Sequence, residues 1–127
     1  MPIEVGMKGR AETVVTPENT AQAVGSGLVP VFATPYMIAL MEGAAVQDSL
    51  APDEGTVGTR LDVTHDAATP VGMKVWAQAE VTAVEGRKIT FAVAAYDEAE
   101  QIGGGTHERF IIKPEKFLGR VRAKGNA

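Results

Sequence analysis

Glu42 is the only charged residue between Thr34 and Val46, in a stretch otherwise made of apolar or small residues such as Met37, Ile38, Leu40, Met41, Ala44 and Ala45. A carboxylate carried into an apolar interior is costly unless it is paired, hydrogen-bonded or protonated. Groups held in that way serve as general acids, bases or nucleophiles. A narrow exposed strip of helix, shared with Gly43, Gln47 and Asp48, would also accommodate it. His65 is the second candidate. It follows the alternation of Val57, Leu61 and Val63, which places its ring on the core side of a strand, within reach of a helix packed beneath. A hydrogen-bonded structural histidine is the plain alternative. Glu42 and His65 can satisfy each other, which is how an acid–base pair is built. Thr34 is the third. As the residue before Pro35 it is expected to cap a helix, and a hydroxyl there lies beside free backbone N–H groups that can hold an anion or a polarised carbonyl oxygen.

Other features are less specific. Gly55, Gly58 and the run Gly103–Gly105 are positions where a backbone can approach a ligand closely, or form a turn or bulge. Lys113, Lys116, Arg120, Arg122 and Lys124 crowd the C-terminal end with only Glu115 opposing them. Such a patch can grip phosphates or be a solvated surface. His107, beside Glu108 and Arg109, is a spare candidate with no pattern pointing to it.

The elements that must position these residues follow from periodicity. Gly9 to Val15 reads as a first strand, and Thr16 to Pro30 as a loop with at most a helical turn. Pro35 opens a helix expected to run to about Leu50, stopped by Pro52. It is apolar nearly all round, so it must be buried on most sides. After Gly55 the period becomes two. Val75, Ala77, Ala79, Val81 and Ala83 alternate with polar residues, Glu85-Gly86 turns the chain, and Ile89, Phe91, Val93 and Ala95 carry the next inward face. A last strand runs from about Ile102 to Lys113, followed by a short helix from Glu115 to Val121. Strands joined by tight turns are antiparallel. The fold class is therefore α+β: a hotdog fold, an antiparallel sheet of about five strands wrapped around one long central helix, with residues 1–127 as a single domain.

Composition bounds the rest. A chain of 127 residues with 45% hydrophobic and 22% charged residues is one globular domain, large enough for a core. The absence of cysteine removes disulfides, thiolate metal sites and a thiol nucleophile. The start, Met1-Pro2-Ile3-Glu4, lacks a signal-peptide pattern, and no apolar run is long enough to span a bilayer, so a cytoplasmic protein without a membrane role is expected. A net charge of −4 argues against nucleic acid as a partner. There is no phosphate-binding loop, dinucleotide fingerprint, zinc-protease motif or serine-hydrolase elbow, and no metal is expected.

Val31-Phe32-Ala33-Thr34 through Leu40-Met41-Glu42 resembles the helix motif of the fluoroacetyl-CoA thioesterase family. Further matches are Val57-Gly58-Thr59, Val63-Thr64-His65, Ala67-Ala68-Thr69-Pro70, Val84-Glu85-Gly86-Arg87, Ile102-Gly103 through Gly104-Gly105-Thr106-His107-Glu108-Arg109, and Glu115-Lys116-Phe117. The resemblance covers most of the chain from Val31 onward and implies a hotdog homodimer with its site near the subunit interface. It places the family's catalytic threonine, glutamate and histidine on Thr34, Glu42 and His65. Its loop glycine falls on Gly58, whose N–H would position the thioester carbonyl. Leu28, Phe32 and Arg120 are the further substrate-binding candidates. Before Val31 the likeness to the fluoroacetyl-selective member is least: its aromatic lid residues are not matched, and Gly25 and Leu28 stand there. The resemblance thus implies thioester hydrolysis without implying choice of a fluorinated acyl group.

The reaction so implied is hydrolysis of an acyl-CoA to free acid and CoA, with no cofactor beyond the CoA of the substrate. Glu42 would act as nucleophile or as base for water, Thr34 would orient it, His65 would move a proton, and Gly58 N–H would hold the oxyanion. The alternatives are a non-catalytic acyl-CoA binding module on the same fold, a hydratase, for which no motif is seen, and a structural dimer, which leaves a buried glutamate unexplained.

Overall fold

A computed structural model describes residues 3–46 and 53–126 of the chain. The elements run β1 (Lys8–Val14), a 3-10 turn (Pro17–Asn19), α1 (Ala21–Val24), α2 (Thr34–Ala45), β2 (Gly55–His65), β3 (Lys74–Glu85), β4 (Lys88–Asp97), β5 (Gln101–Ile112) and α3 (Pro114–Gly125). The strands form one antiparallel sheet in the order β1-β3-β4-β5-β2. Tight turns produce the β3-β4-β5 meander, with Gly86 supplying the positive φ of 64° between β3 and β4. At the next corner, Asp97 accepts from the backbone N–H groups of Ala99 and Glu100 and from the Thr69 hydroxyl, tying the turn to the loop before β3.

Period-two alternation puts Val75, Ala77, Ala79, Val81, Ile89, Phe91, Val93 and Ala95 on one face. There they meet Met37, Met41, Ala44 and Ala45 of α2 in a single core. The helix lies across β1, β3 and β4. Gly103 has no Cβ because the site is occupied: one there would collide with the Thr64 carbonyl and come within 3.0 Å of Met37 Sδ. The glycine run thus seats the helix and the neighbouring strand at that point, where the sequence left a ligand approach and a turn or bulge both open. Among the described residues no helix is long and apolar enough to cross a membrane.

Three expectations are corrected. The helix ends at Ala45, with Val46 already extended as its C-cap; the anticipated continuation over 47–50 lies outside the described residues. It is also buried on one side only: Tyr36, Ala39 and Gly43 are exposed, so the sheet of one chain does not enclose it. Finally, β2 carries a bulge. Its pairing with β5 shifts between Gly58 and Arg60, which puts one extra residue into the strand and changes its parity. Leu61, Val63 and His65 face inward as expected, but Val57, paired with Phe110, faces outward, and Thr56 and Gly58 take its place inside.

Candidate active site

The first turn of α2 holds Thr34. Ala33, in an extended conformation, is the N-cap and makes no side-chain cap bond, so Thr34 is the first helical residue, not the cap, and its hydroxyl is free for other work. Thr34 Oγ1 lies 2.7 Å from Nδ1 of His65, at the end of β2. The other ring nitrogen, Nε2, is buried and has no partner among the described residues. Burial pulls the His65 imidazole below its ordinary pKa, with the Ala67 backbone and the Asp66 charge opposing. At neutral pH the ring is therefore uncharged and can accept or pass on a proton.

Glu42 sits on the same helix but at a different place. Thr34 and Glu42 are eight residues apart, which is about 12 Å along the axis at about 1.5 Å per residue. The expected meeting of Glu42 with His65 does not occur within the chain. Glu42 Oε2 instead accepts from NH1 of Arg109, at 3.3 Å, across to β5. The guanidinium is anchored on its far side, where Nε donates to Thr56 Oγ1 at 2.9 Å and NH2 to the Thr56 carbonyl at 3.0 Å. NH1 also lies 3.1 Å from His107 Nε2. Burial pulls the Arg109 pKa down while Glu42 pulls it up; a guanidinium stays charged throughout. The side chain of Arg109 is only 7% exposed and that of Glu42 37%. The carboxylate is thus held from behind by a buried cation, with its front open.

Gly58 explains how the carboxylate lies so close to the strand. A Cβ at this position would be 2.6 Å from Glu42 Oε2, 3.1 Å from His107 Cε1 and 3.3 Å from Arg109 NH1. Only a residue without a side chain leaves that space. Among the candidates taken from the sequence Arg109 is missing, and His107 figures only as a spare one. They are two apart on β5, in step with Gly103, Gly105 and Ile111, and a run of polar side chains in the core parity of a strand is the signal that marks them.

The remaining candidates lie elsewhere. Phe32 is packed in the core at 1% exposure, and Leu28 stands in solvent at 91%. Arg120 lies on α3, which extends further than expected, and lines a groove on the outer face of the sheet with Val57, Arg87, Phe110, Phe117 and Lys124. Among the described residues no group of three or more His, Asp or Glu is placed to hold a metal ion.

Comparison with known proteins agrees with this fold. The family described as "Fluoroacetyl-CoA-specific thioesterase" matches residues 15–115. A fluoroacetyl-CoA thioesterase of Streptantibioticus cattleyicolor is 50% identical over 97 residues, covering 74% of this chain and 70% of its own. The solved structure of the fluoroacetyl-CoA thioesterase FlK superposes with a TM-score of 0.91 at 41% identity, covering 98% of both chains. A Thermus thermophilus protein described as a thioesterase superfamily member gives 0.89 at 33% identity, covering 98% of this chain and 95% of its own. A hot-dog-like protein from Thermanaerovibrio acidaminovorans shares the fold, at 23% identity and a TM-score of 0.84 over 94% of this chain and 91% of its own. The sheet, the helix across it and the matched sequence agree in one conclusion: the chain belongs to the fluoroacetyl-CoA-specific thioesterase family.

Proposed function

We propose that this chain hydrolyses acyl-CoA thioesters as a homodimer, with each active site built from Thr34 and His65 of one subunit and Glu42 of the partner subunit. One observation carries the reading: a single helix bears two half-sites about two turns apart, a hydroxyl–imidazole pair at its start and a cation-backed carboxylate further on. Neither half hydrolyses a thioester alone. A two-fold axis that sets two copies of α2 antiparallel apposes each half with its complement. Two features support that pairing: the outward side of α2, with Tyr36, Ala39 and Gly43 exposed, and β2, an eleven-residue strand at the edge of the sheet.

In this site the carboxylate of Glu42 attacks the thioester carbonyl, or takes a proton from the water that does. Negative charge gathers on the carbonyl oxygen, where a backbone N–H such as that of Gly58 would stabilise it. The C–S bond breaks, and the departing CoA thiolate takes a proton by way of His65, whose Nε2 has no partner among the described residues; where Glu42 is the nucleophile, water then cleaves the acyl-glutamyl anhydride, releasing the free acid, restoring the carboxylate and returning the proton to His65. Thr34 fixes the ring through Nδ1. Arg120, with Arg87 and Lys124, offers three cations along the outer groove for the phosphates of CoA.

Complementation tests the reading. Glu42→Gln and His65→Ala dimers should each be inactive on acetyl-CoA and fluoroacetyl-CoA. When co-expressed, half of the dimers are mixed, and each of these carries one intact site, so activity should return to about a quarter of wild type. Native mass spectrometry reports the mixed dimer. A mixed dimer without activity places all three side chains in one subunit and refutes the composite site. Binding of acyl-CoA by wild type without release of CoA refutes hydrolysis and leaves a binding module.

A further inference from the structure

His107 is fully buried, titratable, and has no role in the chemistry just described. Its surroundings assign it one. Nδ1 is 2.8 Å from the Arg60 carbonyl, which can only accept, so Nδ1 carries the proton. In the neutral ring Nε2 is then a bare lone pair, and it faces Arg109 NH1 at 3.1 Å. That same NH1 also reaches Glu42 Oε2. The ring stacks on Phe91, 6.1 Å between centroids.

We propose that His107 is a positioning residue for Glu42: its Nε2 lone pair takes one NH1 hydrogen of Arg109, so that the other is aimed at the carboxylate lying against Gly58. The two Thr56 bonds hold one edge of the guanidinium. His107 holds the third corner, and with it the direction in which NH1 points. A protonated His107 would present N–H to N–H and push Arg109 away. The environment disfavours that state: burial lowers the imidazole pKa, the Arg60 carbonyl opposes, the Arg109 charge lowers it further, and Glu42 opposes. The charged groups facing the ring are Glu42 from α2 and Arg109 from β5. From β2 it meets the Arg60 carbonyl and Gly58, and from β4 the uncharged Phe91. The bulge in β2 makes the arrangement feasible, because it turns both Gly58 and Leu61, the cross-strand partner of His107, to the inner face.

The inference rests on the thioesterase reading only for its kinetic readout. Two substitutions separate hydrogen bonding from packing. His107→Gln keeps an acceptor where Nε2 was, and His107→Phe keeps the ring and its stacking but has no acceptor. His107→Phe should lower kcat about ten- to fifty-fold with KM nearly unchanged, and His107→Gln should stay within about three-fold of wild type. The reverse order would show that ring volume alone matters and overturn the proposal. A second readout does not need turnover. The chain has two histidines, so their ring nitrogens are readily assigned in 15N spectra. His107 should be the neutral Nδ1–H tautomer at pH 7, and the Arg109 NH1 protons should exchange slowly in wild type and His107→Gln but not in His107→Phe. An Nε2–H tautomer, or equally slow exchange in all three, refutes the role. Should wild type release no CoA, the thioesterase reading falls while these spectra still decide the function of His107.

Discussion

Gly58→Ala isolates what the close approach of Glu42 to β2 is worth. The added Cβ would lie 2.6 Å from Oε2, where ordinary contacts begin at 3.4 Å, so the oxygen must retreat by about 0.8 Å. That oxygen ends a flexible side chain and can move aside, and the contacts at 3.1 Å to His107 Cε1 and 3.3 Å to Arg109 NH1 ask for only a few tenths of an ångström from those neighbours, so the fold absorbs the change. The backbone φ at this position is not in the left-handed region, and an alanine there also reduces the entropy of the unfolded chain by about 0.4–1 kcal/mol. The melting temperature should therefore move by less than about 3 °C. Catalysis should not absorb it. A displacement of about 1 Å in a reacting group costs about a hundred-fold in rate, or about 2.7 kcal/mol of barrier. For this shift we expect kcat to fall about thirty- to a hundred-fold, followed as CoA release with a thiol dye. Adding Gly58→Ala to a Glu42→Ala background should cost nothing more, since the two act through one contact. A variant with an unchanged melting temperature and kcat within three-fold of wild type would falsify the claim that the seat of the carboxylate governs the rate.

Two further predictions concern stability. The Asp97 carboxyl is pushed up by burial, but the Ala99 N–H, the Thr69 hydroxyl and the Glu100 N–H together outweigh this and hold it below its ordinary pKa. It therefore stabilises the fold above the unfolded-state pKa, and that stability is lost as pH falls through the folded value. Asp97→Ala should cost about 3 kcal/mol, seen as a melting temperature about 10 °C lower at pH 7, and the gap should narrow in strong acid; an equal gap at all pH values would remove the carboxylate from the account. His65 and His107 both have lowered pKa values, chiefly through burial, so the unfolded chain binds protons that the folded chain refuses. Stability should decline as pH drops below about 6.5 and level off once the folded values are passed. Calorimetry showing no such decline would mean that neither ring is desolvated.

Much of this architecture is legible in the sequence because it rests on periodicity and punctuation. The alternation of Val75 to Val81 and Ile89 to Ala95 gives the central strands, Glu85-Gly86 the hairpin, and Pro35 the helix start to within one residue. The isolated charge at Glu42 and the inward parity of His65 are legible for the same reason. Three things are not. Where the helix stops depends on Val46 turning extended, with no glycine or proline at that position to signal it. The bulge at Gly58 inserts a residue without changing composition, so Val57 reads as inward when it faces out. And which carboxylate meets which cation is a long-range matter: Glu42 and Arg109 are distant in sequence, and only the pairing of β2 with β5 brings Thr56, Gly58, His107 and Arg109 under the helix. Glu42 and His65 look like natural partners in the sequence because both are polar in apolar settings, but the rise of the helix separates them.

The extra residue in β2 has a consequence for how this chain can change in length. Gly58 and His65 have numbers of opposite parity, yet both point toward the helix. An ideal strand puts such a pair on opposite faces, so the bulge acts as a half-period phase correction between two stations of one track. Loss of Thr59 would cancel it and turn either the histidine or the glycine out into water. Insertions and deletions that surface turns accept easily are therefore barred from this short interval, where the count of residues matters as much as their kind.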